Sequence, residues 1–219
     1  MKIFGFPTSP YVRKVLVIAA EKGVDARLVE ATPHKPTPDF LAASPFRMMP
    51  AMQDGEFTLP DSTAIAFYLD AKHPEPPLLP DAAVARGRCM WLDEFADTIL
   101  ADSARGVAFN RYIGPELLGL PQDEVAAAAA ESKAHPALDY LEKQMPEDGW
   151  LAGQNFSLAD ISVASCLKTL SYGLDVRSRE RTAAWLARVE TRSAWAEVAR
   201  QERAAIDHAR ESGAHRAGN

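Results

Sequence analysis

The sequence predicts a small α/β domain followed by an all-α helical bundle. Strand-like and helix-like segments alternate through the first third of the chain. The proline-rich stretch PEPPLLP (residues 74–80) then stops the last of those helices, because a proline has no N–H to give a helix interior. From Arg86 onward the apolar residues recur at helical spacing, with no strand alternation. The expected layout is a first domain over 1–76, a linker over 77–85, a helical domain over 86–207 and a flexible polar tail over 208–219.

Composition narrows the function classes. The chain has 219 residues, 47% hydrophobic and 25% charged, an ordinary balance for a domain with a real core. A formal net charge of −6 argues against nucleic acid as a partner, since phosphate binding needs a basic footprint. Cys89 and Cys166 lie far apart and in no CxxC pattern. Neither a disulfide framework nor a metal site is expected, and a cytoplasmic setting is the natural reading. Gly5 and Pro7 interrupt the N-terminal apolar residues, so no signal peptide is expected. No stretch approaches the ~20 apolar residues that a membrane span needs, so no membrane partner is expected.

The elements follow in order. Residues 2–6 (KIFGF) read as a buried strand. Residues 11–22 place Val12, Val15, Ile18 and Ala19 on one helical face, and Gly23 fits the stop after it. Residues 26–30 read as a second strand, parallel to the first through a right-handed crossover. The segment 32–44 holds Pro33, Pro36 and Pro38 and reads as a loop with at most a short helix near Asp39–Ala42. Asp54-Gly55 signals a type I′ hairpin between strands containing Met52 and Phe57/Leu59. Asp61-Ser62 then opens a helix that ends near His73. Beyond the linker, helices are expected over 86–109, 122–145, 158–171, 180–190 and 194–204, with Pro136 kinking or splitting the second. Ser157 and Asp160 form a capping-box pattern, with Phe156 and Ile161 as its hydrophobic staple.

The stretch Ser44–Leu69 carries the chemistry. Pro50 begins a short strand, and a free helix start at Asp61-Ser62 offers N–H groups to an anion. A strand edge beside an anion-ready helix end is a cradle for a small peptide with carboxylates. The run Leu59-Pro60-Asp61-Ser62-Thr63-Ala64-Ile65-Ala66-Phe67-Tyr68-Leu69 resembles the glutathione-binding segment of the glutathione transferase family. The run Gly149–Ile161 resembles the family's helical-domain motif. With one motif in each half, the resemblance spans residues 2 to about 205.

It implies a thioredoxin-like first domain, with a cis Met49–Pro50 bond facing the substrate, ahead of the all-α helical bundle. It also implies glutathione as co-substrate, no metal, and a homodimer in which Phe46 and Met48 meet a partner subunit. Phe6–Val15 is similar to the active-site loop of serine-type members, in which the serine at position 9 holds the glutathione thiolate. Read from residues alone, Ser9 is first of all a helix N-cap with Pro10 at the first helical position, and it is the resemblance that puts the thiolate role ahead. Thr8 is an adjacent alternative.

By the same resemblance, Asp61 pairs with the γ-glutamyl amine, Ser62 with the γ-glutamyl carboxylate, and the Met49 main chain, ahead of Pro50, with the cysteinyl backbone. Simple helix capping is the competing reading of Asp61 and Ser62. The family's usual ligand for the glycyl carboxylate is replaced by Met48, leaving Arg47, or His34 and Lys35, to supply a charge. Tyr11, Phe109 and Tyr112 are candidate walls for a hydrophobic electrophile, or ordinary packing residues. Conjugation is the expected reaction. A glutathione-dependent isomerase or dehalogenase and a non-enzymatic interaction protein of the same fold are the alternatives.

Overall fold

The computed structural model describes residues 1–32 and 36–217, the side chains of 212–217 excepted. The first domain runs β1 (Lys2–Gly5), α1 (Pro10–Glu21), β2 (Arg27–Glu30), α2 (Pro38–Ala43), β3 (Ala51–Asp54), β4 (Phe57–Pro60) and α3 (Ser62–Lys72). The sheet order is β2-β1-β3-β4. β1 pairs parallel with β2, as the crossover through α1 dictates, and antiparallel with β3, which pairs antiparallel with β4. Val12, Val15, Ile18 and Ala19 of α1 bury against Ile3, Met52, Ile65 and Leu69. On the opposite face Phe4 and Ala51 pack with Phe40 and Ala43 of α2. Gly5 permits the close approach of α1, since a Cβ there would collide with Val12 Cγ2.

The hairpin differs from the expected turn by one residue. Asp54 pairs with Phe57, so the loop is Gly55-Glu56. Gly55 takes the positive φ of 62°, at the first central position, as in a type II′ turn. The pleat decides this: Asp54 is held in the ladder, and its carboxylate accepts from the Tyr68 hydroxyl at 2.7 Å and from Lys72.

The second domain is helical. α4 (Ala83–Glu94) and α5 (Ala101–Ala108) join through a π-helical stretch, Phe95–Leu100, and a second one, Phe109–Leu117, follows α5. α6 (Glu124–Gln144), α7 (Leu158–Leu170), α8 (Glu180–Glu190) and α9 (Ser193–Ala217) complete it. Pro136 lies inside α6 without splitting it. α9 is helical through residues expected to form a loose tail.

α7 is the central post of the bundle and packs on α1, α4 and α5. The Asp160 carboxylate fixes its start: it accepts from Ser157 N–H and Leu151 N–H at 3.0 Å each and from Trp185 Nε1–H at 3.0 Å. Phe156 and Ile161 bury as the staple. No described helix is long and apolar enough to cross a membrane.

Candidate active site

Strand register gathers the expected site residues at one end of the sheet. Phe4 pairs with Ala51, and Ala51 with Pro60. One step beyond lie the loop after β1, the Met49–Pro50 peptide, which is cis, and Asp61. Above this end opens a cleft of about 570 Å³ between the two domains. Thr8, Ser9, Tyr11, Arg47, Met48 and Met49 line it from the first domain, and Asp102, Arg105, Phe109, Asn110 and Ile113 from the second.

Ser9 stands at the N-cap of α1, with extended backbone (φ −68°, ψ 129°). Its carbonyl accepts the first helical bond, from Arg13 N–H at 3.0 Å. Its hydroxyl makes no capping bond and is half-buried at the cleft wall. The helix therefore starts on the Ser9 backbone alone, and the residue stands beside the positive end of α1 at the cleft wall.

The loop carrying Ser9 is tied to the helical domain. The Thr8 carbonyl accepts from the Thr169 hydroxyl at 3.1 Å and from Arg13 at 3.5 Å. Arg13 is buried and also donates to the Ser165 carbonyl at 2.7 Å, to Thr169 Oγ1 at 2.9 Å and to the Glu202 carboxylate of α9. Burial works against the Arg13 charge, but the Glu202 carboxylate more than offsets it and the net shift is upward. Glu202 accepts a further bond from the Tyr172 hydroxyl at 2.6 Å.

A second buried network lies under α3. The Lys14 ammonium contacts Asp93 at 2.5 Å and Asp97 at 2.8 Å and donates to Thr63 Oγ1 at 2.9 Å. The Ser62 hydroxyl, buried beside it, reaches Asp97 at 3.4 Å. Tyr11 donates its hydroxyl to the Asp97 carbonyl at 2.7 Å, and burial pushes its pKa up to about 12. Tyr11 thus shows the cleft its ring while its hydroxyl is committed elsewhere.

Asp61 is exposed and N-caps α3, accepting from Ala64 N–H at 2.8 Å. Its φ of 79° is a conformation that a non-glycine residue holds only at a cost of about 1–3 kcal/mol. A strained backbone here is not required by capping, which Asp performs at ordinary angles. Arg47 also has positive φ (59°), in a loop pinned by Ser44, whose hydroxyl accepts from Met48 N–H at 2.8 Å. His34 and Lys35 fall outside the described residues.

Among the expected walls, Tyr11 and Phe109 line the cleft and Tyr112 does not. Tyr112 stacks on Tyr172 with centroids 4.7 Å apart, and Arg210 lies 5.4 Å over its ring. The π-helical turn that begins at Phe109 accounts for this difference. It changes the angular step per residue, so Ile113 takes the wall position that a regular helix would share with Tyr112. Asp102, Arg105, Asn110 and Ile113 escaped the sequence reading. Asp102, Arg105 and Phe109 stand at i, i+3 and i+7, a helical stripe that could have flagged the two charged residues once Phe109 was chosen.

Comparison with known proteins extends over both halves. The family model described as "Glutathione S-transferase, N-terminal domain" matches residues 3–77, and "Glutathione S-transferase, C-terminal domain" matches residues 124–200. Glutathione S-transferase 3 of Zea mays is 35% identical over 170 residues, covering 75% of either chain. A glutathione S-transferase of Hyoscyamus muticus is 31% identical over 209 residues, 90% of this chain and 97% of the relative. Among solved structures, glutathione transferase F2 of Populus trichocarpa superimposes with a TM-score of 0.80 at 26% identity, covering 93% of this chain and 99% of that one.

Proposed function

This chain belongs to the glutathione S-transferase family, and we propose that it adds the glutathione thiolate to a hydrophobic electrophile held in the interdomain cleft. The observation that carries the reading is the Ser9 hydroxyl, uncommitted to capping at the positive end of α1 and open to the cleft. A hydroxyl there donates to a bound thiolate, and the helix end favours the same charge. Both effects lower the thiol pKa and so supply the nucleophile at neutral pH. With an aryl halide, the thiol proton leaves to solvent, the carbon–sulfur bond forms, and halide departs with the bonding pair. Phe109, Ile113, Met48 and the Tyr11 ring give the electrophile an apolar wall. A glutathione-affinity column followed by an aryl-halide conjugation assay tests the reading. Failure to bind and failure to conjugate would together overturn it.

In this reading the tripeptide lies along the strand edge at Met49–Pro50. The Met49 main chain meets the cysteinyl backbone, the start of α3 at Ser62 takes the γ-glutamyl carboxylate, and Asp61 takes the amine. Arg47 supplies the charge for the glycyl carboxylate. Asp61→Asn separates binding from capping, because asparagine caps as well as aspartate but carries no charge. Glutathione affinity by titration calorimetry is expected to fall about tenfold, the worth of one charged hydrogen bond at an exposed site. Equal affinity would leave Asp61 a capping residue only.

A homodimer belongs to the same proposal. Phe46 is 87% exposed and Met48 63% exposed on a loop beside the cleft, and such apolar exposure favours a covering surface. Light scattering at micromolar concentration is expected to give about twice the 23.9 kDa of one chain. A particle of single-chain mass would contradict the dimer.

A further inference from the structure

The cleft has a cation on each wall. Arg47 stands in the loop that leads to Met49 and Pro50, on the side of the strand edge. Arg105 stands opposite, on α5, one turn before Phe109. The tripeptide reading above assigns Arg47 to glutathione and gives Arg105 nothing. Arg105 lines the cleft beside Phe109 and on the same wall as Ile113, the apolar groups on which the electrophile would rest. Its partner is Asp102, at 3.4 Å, in a pair whose side chains are 61% and 62% exposed. A pair this open contributes little and is easily exchanged. Asp102 also has Lys133 at 4.0 Å, so it keeps a cation when Arg105 turns away.

We propose that Arg105 selects electrophiles that carry a carboxylate, binding it opposite the reacting carbon while Phe109 and Ile113 hold the apolar body. This rests on the transferase reading of the cleft. A guanidinium suits the task because it offers a planar fork to a carboxylate and sheds water more readily than an ammonium. Arg105 is open to solvent in the free protein, and an electrophile seated on Phe109 and Ile113 would itself displace water from one side of the pair. Arg105 is thereby a specificity residue at the far end of the electrophile and takes no part in the bond change.

The test compares 4-chloro-3-nitrobenzoate with its methyl ester, at saturating glutathione, in the wild type, Arg105→Gln and Arg105→Lys. In both substrates the carbon–sulfur bond forms at the ring carbon that releases chloride. The ester activates that carbon more than the carboxylate does, and this difference cancels when each variant is compared with the wild type on the same substrate. Arg105→Gln is expected to lower kcat/KM for the acid about tenfold further than for the ester, the size of one charged hydrogen bond. Arg105→Lys is expected to recover part of that difference. Added salt should erode the wild-type rate with the acid more than with the ester. Equal losses for acid and ester would overturn the proposal. So would a matching rise in KM for glutathione, which would assign Arg105 to the tripeptide. If the wild type conjugates neither compound nor a simple aryl halide, the transferase reading itself fails, and this inference with it.

Discussion

Ser9→Ala is expected to slow conjugation of a simple aryl halide about ten- to hundredfold at neutral pH. The range is that of one hydrogen bond to a charged group in a partly buried site, ~1.5–3 kcal/mol. The loss should act through ionisation of the thiol. The hydroxyl donates to the thiolate and holds the bound pKa down, so its removal raises that pKa and moves the pH–rate profile upward by about one to two units. Glutathione affinity should change little below the bound pKa, where the thiol is protonated in both proteins. Stability should also change little, because the hydroxyl makes no capping bond that the alanine could lose. The capping account expects the reverse: a loss of about 0.5–2 kcal/mol in stability with the profile in place. A destabilised Ser9→Ala with an unchanged profile would return Ser9 to structure and make Thr8, also in the cleft wall, the residue to examine.

Glu202→Ala is expected to cost about 3–5 kcal/mol of stability, the usual penalty for leaving one member of a buried ion pair unpaired. Both side chains are only 2% exposed, so water cannot replace the carboxylate. The Tyr172 hydroxyl loses its acceptor as well. For a chain of this size the melting temperature should fall by roughly 10 °C. Glu202 stands at the far end of the sequence from the loop that carries Ser9, yet only Arg13 separates it from the Thr8 carbonyl. The variant should therefore also reduce kcat in excess of the unfolded fraction. The double variant Arg13→Met/Glu202→Leu should regain much of the stability, since an apolar pair replaces a buried ion pair with little loss. It should regain the rate only in part, because Arg13 no longer donates to the Thr8 carbonyl while the Thr169 hydroxyl still does. A Glu202→Ala melting temperature within a degree of wild type would contradict the account of this network.

The architecture was largely legible because the two halves differ in period. β1 and α1 announce themselves by a short apolar run and by Val12, Val15 and Ile18 on one face, and the bundle by its lack of alternation. The Asp160 capping box was legible because its signature is local. The two π-helical stretches were not, because no residue type marks an i→i+5 turn. That is why Tyr112 looked like a cleft wall and Ile113 was passed over. The turn at Gly55 slipped by one residue for a related reason: tertiary bonds from Tyr68 and Lys72 held Asp54 in the strand. The network around Arg13 was invisible in the sequence, since nothing local ties residue 13 to residue 202. A buried arginine one turn after Ser9 reads as a solvated helix residue until its partners arrive from α7 and α9.

Glutathione in the cleft is expected to be bound as the thiolate at neutral pH. Ultraviolet difference absorbance of glutathione bound to the wild-type protein, titrated against pH, measures this directly. Saturable binding is expected, with a thiolate band that titrates clearly below the ~8.5 of a free thiol and a midpoint moved upward in Ser9→Ala. A bound thiol that ionises only where the free one does, or no saturable binding at all, would contradict it.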